Sequence, residues 1–203
     1  MNRPGLRGVV AILRGIRPDE IDAVAAALRR GGIGVIEVPL NSPQPLASIE
    51  RLARDHGHEI LVGAGTVLRP ADVDRVADAG ARLVLAPNMD PAVVGRCVAR
   101  GLLAVPGVAT PTEGFAALAA GAHALKLFPA ELLAPPVLKA WRAVFPPGTA
   151  MVPVGGVGEH NLAAFKAAGA AALGIGSSLY SPGVAPDEIE RRARRLVQAW
   201  DAA

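Results

Sequence analysis

The sequence predicts an α/β protein folded as a closed (β/α)8, or TIM, barrel, and three observations carry the prediction. Eight short apolar runs bounded by Gly, Pro and Asn alternate with longer Ala-rich amphipathic stretches, the pattern of repeated βα units. The runs recur at intervals of about 20 to 26 residues, close to the minimum for a strand, a helix and two short loops. Neither a composition shift nor a long linker breaks the 203 residues. One barrel domain spanning 1–203 is therefore expected, at the short end of that fold's size range.

The first run is Val9 to Leu13, closed by Arg14-Gly15-Ile16. No G-x-G-x-x-G follows it, which counts against the alternative of an open doubly wound sheet. The later runs are Val35 to Val38, Ile60 to Val62, Leu83 to Ala86, Leu102 to Val105, Ala124 to Leu127, Ala150 to Val154 and Ala171 to Ile175. Helices fill the gaps. Pro18, Pro43, Pro70, Pro91, Pro111 and Pro186 stand where a first helical residue would, with Ser42, Asp90 and Thr110 as N-caps. Thr110 and Glu113 have the spacing of a capping box. Gly31, Gly80, Gly101, Gly121 and Gly169 fall where helices end. In the last stretch, Ile189, Ala193, Leu196, Val197 and Trp200 form one apolar face, and Glu188–Arg192 and Glu190–Arg194 are i,i+4 pairs on the other.

Composition narrows the class. Apolar residues make up 51% and charged residues 19%, which fits a compact core that needs neither disulfide nor metal. The one cysteine, Cys97, makes no internal disulfide or zinc cluster. The apolar run from Gly8 to Leu13 is too short for a signal peptide, and every longer run is interrupted before it could span a bilayer. A cytoplasmic protein without membrane contact is expected. The net charge of +3 comes from eighteen Arg and three Lys scattered along the chain, so no nucleic-acid-binding stripe forms. His56, His58, His123 and His160 are dispersed, and no clustered His, Cys and carboxylate set suggests a metal site.

In such a barrel the active site lies at the C-terminal ends of the strands. Three charges stand there: Arg14 closing strand 1, Glu37 within strand 2 and Lys126 within strand 6. Lys and Glu are almost never fully buried unless paired, and each interrupts an apolar strand. Lys126 is the most informative, because the other two lysines, Lys139 and Lys166, fall on helices and a mere positive charge here would more often be Arg. A desolvated lysine amine can lose its proton and attack a carbonyl. At pH 7 only about 0.04% of an unperturbed lysine is neutral, so burial has to lower its pKa by roughly 3 units. The plain structural alternative is a lysine that snorkels to the mouth or pairs with Glu37. Glu37 suits a proton relay, and Arg14 suits a fork on a substrate carboxylate, or else a surface charge at a strand end.

Val154-Gly155-Gly156-Val157 and Gly174-Ile175-Gly176-Ser177 follow strands 7 and 8. Barrels place phosphate-binding amides there, although glycine also serves tight turns. Ser177 adds a hydroxyl. Gly63-Ala64-Gly65-Thr66 ends strand 3, and Thr66 is either a further hydroxyl at the mouth or a helix-side cap.

Ala11-Ile12-Leu13-Arg14-Gly15, Glu37-Val38-Pro39-Leu40-Asn41-Ser42-Pro43, Gly63-Ala64-Gly65-Thr66-Val67, Leu125-Lys126-Leu127-Phe128-Pro129 and the two glycine segments together resemble the class I aldolases that cleave 2-keto-3-deoxy-6-phospho sugar acids, the KDPG/KDPGal aldolases. The resemblance covers nearly the whole chain. It implies a homotrimeric, cofactor-free and metal-free barrel acting on a phosphorylated keto acid. Lys126 would form the Schiff base and Glu37 would move protons. Arg14 and Thr66 would hold the carboxylate, and Gly155, Gly156, Gly176 and Ser177 the phosphate. Within the family, the segment from Glu37 to Pro43 and Val154 resemble the enzymes of the galactonate-derived substrate, since the gluconate type usually shows Thr before the glycine pair, with a hydroxyl for C4 that Val lacks. Pro129-Ala130-Glu131 departs from this and is closer to the gluconate type. A phosphosugar isomerase or synthase on the same barrel would share the glycines without needing the lysine, and a phosphosugar sensor would have little reason to bury an amine beside a carboxylate.

Overall fold

The structure, a computed structural model, describes residues 6–203. Parallel strands and helices alternate throughout: β1 (Gly8–Ile12), α1 (Ile21–Arg30), β2 (Val35–Pro39), α2 (Pro45–His56), β3 (Leu61–Gly65), α3 (Pro70–Asp78), β4 (Leu83–Leu85), α4 (Pro91–Ala99), β5 (Leu103–Val105), β6 (Gly107–Val108), α5 (Pro111–Ala119), β7 (Leu125–Leu127), α6 (Pro135–Arg142), β8 (Met151–Pro153), α7 (Leu162–Ala167), β9 (Ala172–Ile175) and α8 (Pro186–Ala202).

The strands form a TIM-type barrel. One sheet runs β5-β4-β3-β2-β1-β9 and a second runs β6-β7-β8. They meet at two seams. On one side β5 continues through Pro106 into β6; proline has no N–H for the ladder, so the fifth barrel strand expected from the sequence is divided in two. Beyond it, a Cβ on Gly107 would overlap the carbonyl of Pro87, which is why the strand resumes on glycine. On the other side a parallel bridge between Val154 and Gly174 joins β8 to β9.

Four helix starts follow the expected chemistry. Pro70, Pro91, Pro111 and Pro186 are first helical residues. Asp90 accepts from the amides of Ala92 and Val93, and Thr110 and Glu113 form the reciprocal capping box. Two starts differ. α1 begins at Ile21, three residues after Pro18, and α2 begins at Pro45 behind a left-handed Gln44 (φ 44°). Ser42 is accordingly not a helix cap. Its hydroxyl accepts from the Gly15 amide at 3.0 Å, which ties the loop after β2 to the loop after β1. The charges of α8 pair as the spacing predicts, Glu188 with Arg192 and Glu190 with Arg194. None of the described helices is long and apolar enough to cross a membrane.

The core has two parts. The larger lies between strands and helices; the smaller fills the barrel and includes Val10, Ile12, Val35, Leu61, Leu83, Val105, Ala124, Val152, Val154 and Ala172. Side chains two apart on a strand share a face. Glu37 follows Val35 by two and Lys126 follows Ala124 by two, so the periodicity that packs the barrel interior also delivers both charges into it.

Candidate active site at the C-terminal mouth of the barrel

Lys126 and Glu37 are 5% and 2% exposed, among the few charged side chains buried in the described chain. Glu37 sits on glycine. In the β2–β3 ladder Glu37 is level with Gly63 and Pro39 with Gly65, and a Cβ on Gly65 would collide with the Glu37 carboxylate. The two glycines of β3 make the room a buried glutamate needs. Its Oε2 is buried with no hydrogen-bond partner among the described residues. Burial pushes the Glu37 carboxyl up to about 7, against the opposing pull of Lys126 and Arg14. Lys126 titrates below the usual lysine range, chiefly because burial disfavours its charged form; Arg14 adds to the effect and Glu37 opposes it. The Lys126 ammonium lies 4.6 Å from the centre of the Phe128 ring. Lys126 therefore does not snorkel to solvent.

A cavity of about 380 Å³ opens among the strand ends; neither Lys126 nor Glu37 lines it, but Phe128, the ring beside the Lys126 amine, does. Arg14, Val154, Gly155, Gly156, Gly176 and Ser177 all line it, so six of the nine residues singled out from the sequence converge on one space. Gly155 and Gly156 have φ of 104° and 62°, backbone that a side chain would strain. Val154 packs against Gly174, where a Cβ would stand 2.6 Å from Val154 Cγ2. Arg14 is exposed and donates from Nη1 to Asn41 Oδ1 at 2.7 Å.

Thr66 lies elsewhere on the mouth. It lines a neighbouring cavity of about 710 Å³ shared with Asn41 and the starts of α2 and α3, and it holds a left-handed φ of 56°, uncommon for a side chain branched at Cβ. Thr66 is not a helix cap either, since α3 has Arg69 at that position.

Sequence reasoning passed over several lining residues. His160, set aside as a lone histidine, stands on the wall of the smaller cavity with Phe128, Glu131 and Ser178. Ser178 donates to the Val157 carbonyl at 3.0 Å, and Asn161 braces the same loop by accepting from the Gly158 amide and donating to the Gly156 carbonyl. Only their closeness to the glycine pairs signalled them. Among the described residues no three His, Cys, Asp or Glu side chains cluster as metal ligands would.

The mouth of a parallel barrel, a buried lysine, an unpartnered glutamate and glycine loops on the last strands coincide with a family match: residues 5–192 fit the model of the KDPG and KHG aldolases. The chain belongs to that family. Among its relatives in the KDPG and KHG aldolase family, a probable 2-dehydro-3-deoxy-6-phosphogalactonate aldolase of Rhizobium meliloti is 46% identical, the match covering 98% of this chain and 94% of the relative. The 2-dehydro-3-deoxy-6-phosphogalactonate aldolase of Escherichia coli is 44% identical, over 96% and 95%. A solved structure described as native KDPGal superposes with a TM-score of 0.96 at 42% identity, covering 100% of this chain and 98% of the other.

Proposed function

We propose that the protein is a class I, Schiff-base aldolase that cleaves 2-dehydro-3-deoxy-6-phospho-D-galactonate to pyruvate and D-glyceraldehyde 3-phosphate. The observation that carries this reading is the buried pair at the barrel mouth, in which burial moves Glu37 up to about 7 and Lys126 down. A carboxyl raised to about 7 can carry a proton near neutral pH, and an amine whose burial favours its neutral form can act as the nucleophile.

The chemistry follows from the roles this geometry allows. Neutral Lys126 attacks the C2 ketone to give a carbinolamine, and loss of water leaves an iminium. Glu37, as carboxylate, takes the proton of the C4 hydroxyl. The C3–C4 bond then breaks, its electron pair flows into the iminium to form an enamine, and the C4 oxygen becomes the aldehyde of glyceraldehyde 3-phosphate. Protonation of the enamine at C3 and addition of water to C2 release pyruvate and return the amine. Arg14 takes the C1 carboxylate; Thr66, which lines the neighbouring cavity, is assigned to the same group by the family resemblance alone. The amides of Gly155, Gly156 and Gly176, with the Ser177 hydroxyl, take the phosphate, and their shared cavity supports this assignment. Val154 faces C4.

Relatives named for the galactonate-derived substrate share 44–46% of their sequence with this chain, which supports that epimer and a place in galactonate catabolism. One observation favours a second reading, activity on the C4-epimeric gluconate-derived acid or on both: Pro129-Ala130-Glu131 resembles the gluconate type. The family resemblance further supports a cytoplasmic homotrimer of single-domain chains, which sedimentation equilibrium tests directly.

Pyruvate release from the two epimeric acids, assayed side by side without added metal, tests the substrate. Borohydride reduction in the presence of pyruvate tests the mechanism: a stable adduct on Lys126 is expected, and its absence would sink the Schiff-base route.

A further inference from the structure

Glu131 is the one carboxylate lining the glycine-loop cavity. It leaves the end of β7 on the Pro129-Ala130-Glu131 turn and lies across the glycine pair. A Cβ on Gly156 would overlap Glu131 Cγ and stand 2.9 Å from Oε1, and a Cβ on Gly155 would stand 3.4 Å from Oε2. Glycine at these two positions therefore admits the Glu131 side chain as well as an anion. Of the two basic side chains of the same cavity, Arg14 donates to Asn41, and His160 stands on the wall beside Gly158. The Glu131 side chain is exposed, so its position rests on packing over the glycines and it can move away.

A phosphate dianion and an ionised carboxylate in one cradle repel each other. A neutral hydroxyl in the same place would instead donate to the carboxylate, a charge-assisted hydrogen bond. We propose that Glu131 is a specificity-determining residue: it competes with the substrate's phosphate for the glycine cradle, and it accepts a hydrogen bond from the terminal hydroxyl of a 2-keto-3-deoxy acid that carries no phosphate. The proposal rests on the assignment of the glycine loops to phosphate. It adds a substrate class, the unphosphorylated acids, and names the side chain that weighs one class against the other.

The test compares the full-length protein with Glu131→Gln, which keeps the shape and removes the charge, and with Glu131→Ala, which removes both. Titration calorimetry with inorganic phosphate should show binding about fivefold or more tighter in both variants. The ratio of kcat/KM for the phosphorylated over the unphosphorylated acid should rise by about tenfold or more, because the variants gain on the first and lose on the second. Phosphate binding that is measurable and equal in all three proteins, or weaker in the variants, overturns the role of Glu131 alone. No phosphate binding in any of them overturns the phosphate assignment and this inference with it, while the borohydride adduct on Lys126 separately reports whether the aldolase reading stands.

Discussion

The carboxylate of Glu37 occupies the volume that a side chain at residue 65 would need. A Cβ on Gly65 would stand 2.6 Å from Glu37 Oε1 and 2.5 Å from Cδ, closer than any non-bonded contact tolerates. Because Gly65 is not in a left-handed conformation, unlike Gly155 and Gly156, an alanine there suffers from this collision and not from its backbone.

Gly65→Ala should therefore displace the Glu37 carboxylate and leave the barrel standing. Overpacking costs about 1–3 kcal/mol of stability, and loss of a positioned general base typically costs about 10²–10⁴ in rate. Steady-state kinetics beside thermal unfolding should show kcat falling by at least about 100-fold in a folded protein. A variant with wild-type kcat would show that the carboxylate works from another position.

Lys126→Met removes the amine and keeps an apolar side chain of similar length in the barrel. Turnover should fall below detection and the borohydride adduct should vanish, while stability holds or rises, since a buried polar amine has been replaced by an apolar thioether of similar length. Mass spectrometry of the reduced protein after incubation with pyruvate checks the adduct.

The pH dependence of stability should carry the signature of Glu37. Its carboxyl is pushed up to about 7 in the folded protein from an ordinary 4.5, so the folded state holds the proton longer than the unfolded chain. Its contribution is fully present below pH 4.5 and is lost as pH rises through 7, a change of about 3 kcal/mol. Lys126, held low by burial, acts in the opposite sense on the alkaline side: its window lies below 10.5, where stability rises with pH. Denaturant melts at pH 4.5 and 7.5 should show the wild type losing more stability across this interval than Glu37→Gln does.

Much of this arrangement was legible in the sequence, and the reasons are local. Strand and helix alternation, the four helices that start on proline and the two capped by Asp90 and Thr110 depend on neighbouring residues, and the inward placement of Lys126 follows from the two-residue period that also buries Ala124. What stayed hidden depends on long-range contacts. Ser42 reads as a helix cap by its position before Pro43, yet its partner is the Gly15 amide, 27 residues away in the chain. Pro106 reads as the end of a strand, and only the ladder from Gly107 to Lys126 shows the strand resuming. Thr66 stands beside the strand-3 glycines in sequence, but its left-handed backbone turns it toward the cavity at α2 and α3. His160 carries no local signal beyond its closeness to the glycine pair, because its place on the cavity wall is set by the course of the loop after β8.

Ser42→Ala follows from that long-range bond. The Ser42 side chain is 8% exposed, so its loss would leave the Gly15 amide short of a partner at a cost of about 1–2 kcal/mol. The loosened loop carries Arg14, which the proposed mechanism places on the substrate carboxylate. KM should rise by about fivefold or more with a smaller change in kcat, and Ser42→Thr, which keeps the hydroxyl, should restore most of the loss.

Val154→Thr tests the choice between C4 epimers at a single atom. Thr and Val have nearly the same shape, and the wall they form against Gly174 leaves no space for a larger group, with Val154 Cγ2 already 2.6 Å from where a Gly174 Cβ would stand. The substitution therefore exchanges a methyl for a hydroxyl at the cavity wall without repacking it. If Val154 faces C4, the new hydroxyl can bond the C4 hydroxyl of the gluconate-derived acid, and the ratio of kcat/KM between the epimers should move toward that acid by about tenfold or more. An unchanged ratio, with turnover intact, would move the origin of epimer choice to the loop that holds Asn41 and its bond to Arg14.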